Sequence, residues 1–225
     1  MKLSHRLATI ANLVNPNDIV ADIACDHGLV AIYLVKKKGM NNIFVSDINP
    51  KALAQAQKNI IQNQLQNNIF PILGDGIKWI NASDNINCVI IAGLGAKTII
   101  NILTNDYQSI NRYIIQTNNE MSKIRKWVQD HNYFIEDELL IKDNNFIYEI
   151  IVINKTHGSL IVNDEQIMFG LNLENKYELL FKKMWTDKLF HYENNINKLT
   201  PNQINAIMNL QVLLIRNKLQ KQKEK

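Results

Sequence analysis

Three features of this sequence predict an α/β protein built on a mostly parallel sheet. Short apolar runs alternate with amphipathic stretches from residue 19 to about residue 130. Two long β-rich segments then follow, separated by Asp143-Asn144-Asn145. Finally, five of the eight glycines stand directly after apolar runs. Five strand–helix alternations and a closing hairpin make seven strands, parallel apart from an antiparallel final strand. Right-handed crossovers between parallel strands then place helices on both faces, giving a three-layer sandwich.

The elements can be taken in order. Ser4 is positioned to cap a short helix carrying Leu7, Ile10, Leu13 and Val14 on one face, and Asn15-Pro16-Asn17-Asp18 ends it. Ile19 to Ala24 is too short for a helix and suits a strand buried on both faces. A helix is expected from Leu29 to Lys38, with Leu29, Ile32, Tyr33 and Val35 inward and Gly39 as its stop. The second strand, Ile43 to Ser46, runs into Asp47. Asn49 and Pro50 open the next helix as cap and first-turn proline, with Leu53, Ala56, Ile60 and Ile61 inward. Strands at Ile69 to Leu73 and Cys88 to Ile91 follow, with a helix from about Lys97 to Leu103. A fifth strand spans Tyr113 to Gln116, and Asn118 or Asn119 is expected to cap the helix through Met121, Ile124, Trp127 and Val128. Tyr133 to Ile141 and Phe146 to Ile153 form the hairpin.

After His157-Gly158 the pattern changes to helical spacing. Tyr177, Leu180, Phe181, Met184, Leu189 and Tyr192 mark one helix. Ile204, Ile207, Met208, Leu210, Leu214 and Leu219 mark another, with Thr200-Pro201 between them. An antiparallel, coiled-coil-like helical hairpin turning at Leu199 to Asn202 is expected. The domains divide as residues 1–158 and 159–225.

Charge separates along the same line. From Lys176 onward there are ten Lys/Arg against four Asp/Glu, whereas residues 1–175 hold 15 against 17. A basic tail on a near-neutral body suits a polyanion, and equally a solvated helical hairpin. The two cysteines, Cys25 and Cys88, have no CxxC spacing, which argues against a disulfide framework or zinc site. The opening residues lack the continuous apolar core of a signal peptide. No run reaches the roughly 18 apolar residues of a membrane span. A cytoplasmic protein, monomeric and without membrane contact, is the expectation.

Gly28, Gly74, Gly76, Gly93 and Gly95 all follow strands on one edge of the sheet. Ligands of open α/β sheets bind at that edge. Asp22 and Asp26 lie in the first strand-to-helix turn, Asp22-Ile23-Ala24-Cys25-Asp26-His27-Gly28. Asp47 ends the second strand, 19 positions beyond Gly28, where an acidic residue accepts ribose hydroxyls in nucleotide-binding sheets. Ile48 follows it at the same edge. Asp75, between two glycines, is placed to accept from an adenine amino group. A pyrophosphate would be repelled by the two carboxylates of the first turn. S-adenosylmethionine carries no phosphate, and its sulfonium and α-ammonium groups suit those carboxylates.

The chain resembles the bacterial tRNA adenine-N1-methyltransferase family that modifies adenine 22, over nearly its full length. The likeness rests on LSHRL (Leu3 to Leu7), VADIACDHG (Val20 to Gly28), GDG (Gly74 to Gly76), IAGLGA (Ile91 to Ala96) and IYEIIV (Ile147 to Val152). The family pattern reads DIGSDHA and IAGMGG at two of these places. Ala24 therefore replaces the usual first glycine of the cofactor loop, narrowing the turn and leaving Gly28 to supply flexibility. The resemblance implies a class I methyltransferase domain of Rossmann-like fold, S-adenosylmethionine as cofactor, tRNA as partner and a coiled-coil tail.

In that light Asp22, Ala24, Cys25, Gly28, Asp47, Ile48, Gly74, Asp75, Gly76, Ala92, Gly93, Leu94 and Gly95 are the expected cofactor-binding set. The loop Ala92-Gly93-Leu94-Gly95 lacks the Asp/Asn-Pro-Pro-aromatic pattern of amine methylation and offers no side-chain acceptor for an amino proton. Adenine N1, with a free in-plane lone pair, needs none. Asp26 is the candidate to face the charge developing on the base, with His27 beside it, although both are also suited to bracing the turn. Arg6, Lys97, Arg125 and Lys126 are candidate phosphate contacts, the last two being equally suited to a solvated helix face. Methylation of another RNA base or a small molecule, and a non-catalytic cofactor-binding RNA module, are the competing readings.

Overall fold

The computed structural model describes residues 3–196, 215–216 and 218–220. The chain divides into two compact units, residues 1–171 and 172–225. The first holds α1 (His5–Asn12), β1 (Val20–Ile23), α2 (Leu29–Lys38), β2 (Ile43–Asp47), α3 (Pro50–Gln62), β3 (Ile69–Leu73), β4 (Cys88–Leu94) and α4 (Ala96–Leu103). It continues with β5 (Arg112–Thr117), α5 (Met121–Asp130), β6 (Phe134–Asp143), β7 (Phe146–Asn154) and α6 (Asp164–Phe169). The seven strands form one sheet in the order β3-β2-β1-β4-β5-β7-β6. β1 to β5 pair in parallel, and β7 enters antiparallel between β5 and β6. The expected topology, including the antiparallel final strand, is present.

Alternation along the strands builds the three layers. Cys88 and Ile90 turn to the face shared with Ile10, Ala31 and Leu53, under α1, α2 and α3. Val89 and Ile91 turn to the face shared with Ile99 and Ile124, under α4 and α5. Side chains of a strand point alternately to its two faces, so a central strand buried on both reads as an unbroken apolar run.

Local signals met tertiary context with three differences. Ile61, expected inward, is 58% exposed, because the buried stripe of α3 is completed by Leu53, Ala56 and Ile60 alone. In α2 the buried residues are Val30, Ala31, Ile32 and Leu34, while Leu29, Tyr33 and Val35 are half-buried. This helix packs against α1 as well as against β2, so burial extends round it. Neither Asn118 nor Asn119 caps α5, whose cap residue is Glu120 at φ +43 without a side-chain bond. Asn119 instead accepts from the Ala96 N–H at 2.8 Å, capping α4 across the sheet edge.

Arg125 is the largest departure. Its place on a helix with charged neighbours suggested a solvated or phosphate-facing side chain, yet it is 1% exposed. Nε donates to Glu138 at 2.6 Å, and Nη2 donates to Glu149 at 2.9 Å. Glu138 in turn accepts from the Leu171 N–H at 2.7 Å, fastening the segment after α6. The first unit therefore takes in residues 159–171, which the sequence pattern had grouped with the tail. Lys126, by contrast, is exposed and pairs with Asp130 at 2.5 Å.

In the second unit α7 (Leu173–Lys176) and α8 (Glu178–Ile196) are described, with Phe181, Met184 and Trp185 buried. Arg216 pairs with Glu193 at 2.6 Å and Lys218 with Glu174 at 2.5 Å. The expected turn at Leu199 to Asn202, and most of the helix after it, lie outside the described residues. No helix among the described residues is long and apolar enough to cross a membrane.

Replacing Arg125 with Met leaves two carboxylates facing each other in the core. The expected loss is about 3–5 kcal/mol of unfolding free energy, read by urea denaturation. A loss below about 1 kcal/mol would show that the ion pairs are not needed to hold the segment after α6.

Candidate active site

The turn after β1 is left-handed at two residues that are not glycine. Ala24 has φ +55 and Asp26 φ +48, before Gly28 caps α2 at φ +65. Ala24 thus carries the strained conformation itself, contrary to the expectation that Gly28 would absorb the Gly-to-Ala change. The Cys25 N–H donates to the Ser46 carbonyl at 3.1 Å, and the Gly28 N–H to the Cys25 carbonyl at 2.8 Å. These bonds tie the turn to β2 and close it. Gly28 is also a close approach: a Cβ there would lie 3.3 Å from that of Ala56 on α3.

A cleft of about 580 Å³ opens at the carboxyl edge of the sheet, over this turn. Asp22, Ala24, Cys25, Asp26, His27, Asp47, Ile48, Gly74, Asp75, Gly76, Ala92, Gly93 and Leu94 all line it. Of the expected set only Gly28 and Gly95 do not, and both serve as N-caps, of α2 and α4. The spacing rule that gathered the glycines did not separate those that line a cleft from those that start its helices.

Two carboxylates form the floor. Asp22 is 5% exposed, and burial, with the neighbouring Asp47, pushes its carboxyl up to about 7. Among the described residues no donor or cation reaches it. Asp47 accepts from the Asn49 N–H at 2.8 Å and from the Asp26 N–H at 3.4 Å. Asp26 and His27 stand at the rim, their side chains 71% and 50% exposed and 3.4 Å apart. Asp75 pairs with Lys78 at 2.5 Å. Cys25 is buried beside the floor, which pushes its thiol up and keeps it protonated.

α1 reaches the cleft through Arg6 and Leu7. Arg6 donates through Nη1 to the buried Gln116 side chain, and its guanidinium lies over the Tyr148 ring, 5.3 Å from the centroid. Gln116 donates to the Thr117 carbonyl at 2.7 Å and to Asn118 at 3.2 Å. Asn118 donates to the Gly93 carbonyl at 2.7 Å. Gly93 interrupts the β4–β5 register at φ +82, and this chain of bonds holds the interruption from behind. Thr98, Asn101 and Ile102 of α4 also line the cleft. They were missed in sequence, although their spacing places them on one face of a helix starting at the right edge.

Two outcomes test the floor. An ordinary Ala-to-Gly change destabilises, yet Ala24→Gly relieves a left-handed alanine and is expected to stabilise by up to about 1 kcal/mol in urea denaturation. Asp22 holds its proton in the folded state up to about pH 7, whereas the unfolded chain releases it near 3.8. Its contribution to stability is therefore full below about pH 4 and is lost as pH rises through about 7. Thermal midpoints should fall between pH 5 and pH 8 in the wild type, and by clearly less in Asp22→Asn.

With this geometry in place, comparison with known proteins is informative. Residues 3–151 match the family model described as a methyltransferase domain. MG248 of Mycoplasma genitalium is 31% identical over 96% of this chain and 97% of its own length. The tRNA (adenine(22)-N(1))-methyltransferase of Bacillus subtilis is 25% identical over 86% of this chain and 84% of its own. The structure of M. capricolum TrmK in complex with S-adenosyl-homocysteine superposes with a TM-score of 0.87 at 34% identity, covering 98% of this chain and 99% of that one. Family model, full-length relatives and fold agree with the motifs at the cleft, and the chain belongs to the methyltransferase-domain family and, within it, to the bacterial tRNA (adenine-22-N1)-methyltransferases.

Proposed function

We propose that this protein methylates N1 of adenine 22 in tRNA, with S-adenosylmethionine as methyl donor. The observation that carries the cofactor is Asp22, a buried carboxylate at the cleft floor that no group among the described residues neutralises. Isolated carboxylates are expensive to bury, and this one fits a ligand that brings its own cation. A pyrophosphate would meet Asp22, Asp26 and Asp47 instead of cations. When bound, S-adenosylmethionine supplies an electrophilic methyl group.

The chain's own residues then position and screen. Asp22 holds the α-ammonium group and Asp47 accepts from ribose hydroxyls. Ala92, Gly93 and Leu94 form an acceptor wall without a side-chain base, which suits a ring nitrogen whose lone pair is already free. The Gly93 carbonyl is occupied by Asn118, so the wall keeps its shape as the base enters. Asp26, at the rim, faces the positive charge that appears on the methylated base, and His27 orients it. N1 lies on the pairing edge, so adenine 22 has to leave its stack to reach the cleft.

Incubating the protein with labelled cofactor and unmodified tRNA, followed by nucleoside analysis, is expected to give 1-methyladenosine at position 22. Methyl on another atom or base would overturn the reading. Asp47→Ala should weaken cofactor binding at least about tenfold in calorimetry, through loss of charge-assisted bonds. Asp26→Asn should lower kcat by about tenfold or more with cofactor affinity retained. Unchanged turnover would reduce Asp26 to a brace of the turn.

A further inference from the structure

The acceptor wall, Ala92 to Leu94, stands at the end of β4, and the sheet continues from it in both directions. On one side are β1 and β2, with the carboxylates of Asp22 and Asp47. On the other are β5, β7 and β6. β7 pairs with β5 only as far as Ile150 but with β6 as far as Phe146, so the hairpin reaches roughly 10 Å past the end of β5. Phe146, Tyr148 and Ile150 share one face by alternation. Arg6, which lines the cleft, lies over the Tyr148 ring, and the Phe146 ring follows 6.3 Å from that of Tyr148, with 54° between the planes. Phe146 itself is 65% exposed. The tip that carries it is nevertheless fixed. The Lys142 carbonyl accepts from His5 Nδ1 at 2.9 Å, and the Asp143 carboxylate accepts from the Arg6 N–H at 3.0 Å. The free charge at this end of the sheet is positive. Lys97 and Lys142 are exposed and have no ion pair among the described residues, whereas Glu120 is taken by Lys123 at 2.8 Å.

We propose that Phe146 is a stacking platform for the base next to the target adenine in the substrate RNA. The inference rests on the reading of the reaction as methylation of a base in tRNA. To present N1, the adenine leaves its stack, and the neighbouring base is left with one π face bare. An exposed aromatic ring, fixed beside the cleft on the side away from the carboxylate floor, replaces that lost stacking. It does so for any base, since every base has a π face. The two free lysines suit the phosphates that come with it. Lys142, Asn144 and Asn145 next to the ring are exposed and polar, so Phe146 forms no apolar patch of the kind a protein partner covers.

The test uses the full-length protein, S-adenosylmethionine and unmodified tRNA, with 1-methyladenosine as the readout. Phe146→Ala and Phe146→Leu are expected to raise KM for tRNA about fivefold or more, with cofactor affinity in calorimetry and the thermal midpoint unchanged. Phe146→Tyr, which keeps the π face, should stay close to the wild type. Each nucleotide flanking adenine 22 is then replaced in turn by an abasic one. At one of the two positions this should cancel the difference between the wild type and Phe146→Ala, as expected of two groups in contact. An unchanged KM in Phe146→Ala overturns the proposal. So does a Phe146→Leu variant that behaves like the wild type, or a loss that persists with both abasic substrates. Altered sedimentation of Phe146→Ala with KM unchanged would assign the ring to a contact between copies of the chain, and overturns it too. If Phe146→Ala lowers the thermal midpoint enough to prevent assay, Phe146→Leu against Phe146→Tyr carries the comparison. Absence of 1-methyladenosine with the wild type would overturn the reading of the reaction itself, a result distinct from all of these, in which the wild type is active.

Discussion

The structure turns on a cost: two carboxylates, Asp22 and Asp47, are held side by side at the ends of adjacent parallel strands with little water around them. Burial and mutual repulsion both oppose this arrangement, and the carboxyl of Asp22 responds by rising to about 7. The surrounding fold supplies what keeps the site in that state. The turn after β1 adopts left-handed geometry at Ala24 and Asp26, and main-chain bonds to β2 hold it there. Strain and unfavourable charge of this kind persist only where the surroundings over-determine them, and they collect at functional sites.

The rest of the first unit is arranged around that floor. The helices on each face leave the carboxyl edge of the sheet open, and the glycine-bearing turns after β1, β3 and β4 gather there. A chain of hydrogen bonds runs from the Arg6 guanidinium through the neutral side chains of Gln116 and Asn118 to the Gly93 carbonyl. The residues lining the cleft include Asp22, Asp26, Asp47 and Asp75 and a single guanidinium, that of Arg6. Away from the cleft, Arg125 pairs with Glu138 and Glu149, and Glu138 accepts from the Leu171 N–H of the segment that closes the unit.

Much of this was legible from residues alone, for identifiable reasons. Strands buried on both faces declare themselves as short apolar runs, so β1, β2 and β5 were placed to within a residue at each end, whereas β4 starts as expected at Cys88 but runs three residues further, to Leu94. Asp47, Asp75 and the Gly74–Gly76 turn were legible because ligand sites of parallel sheets recur at strand ends, which makes sequence position a proxy for place. The same proxy misassigned Arg125, since a charged residue in an amphipathic helix reads as solvated until its partners are known, and those lie 13 and 24 positions further along the chain. It also missed Thr98, Asn101 and Ile102, which enter the cleft through the angle of α4.

The order of elements, the parallel sheet and the chemical character of the first turn follow from local periodicity and from residues a few positions apart. The folded chain was needed to show that Ala24 takes the left-handed conformation, that Arg125 is a core residue and that Arg6 lines the same cleft as Asp22. Each of these is a relation between groups distant in the chain. Burial and electrostatics act through space, and periodicity along the sequence carries no measure of which distant charges will meet.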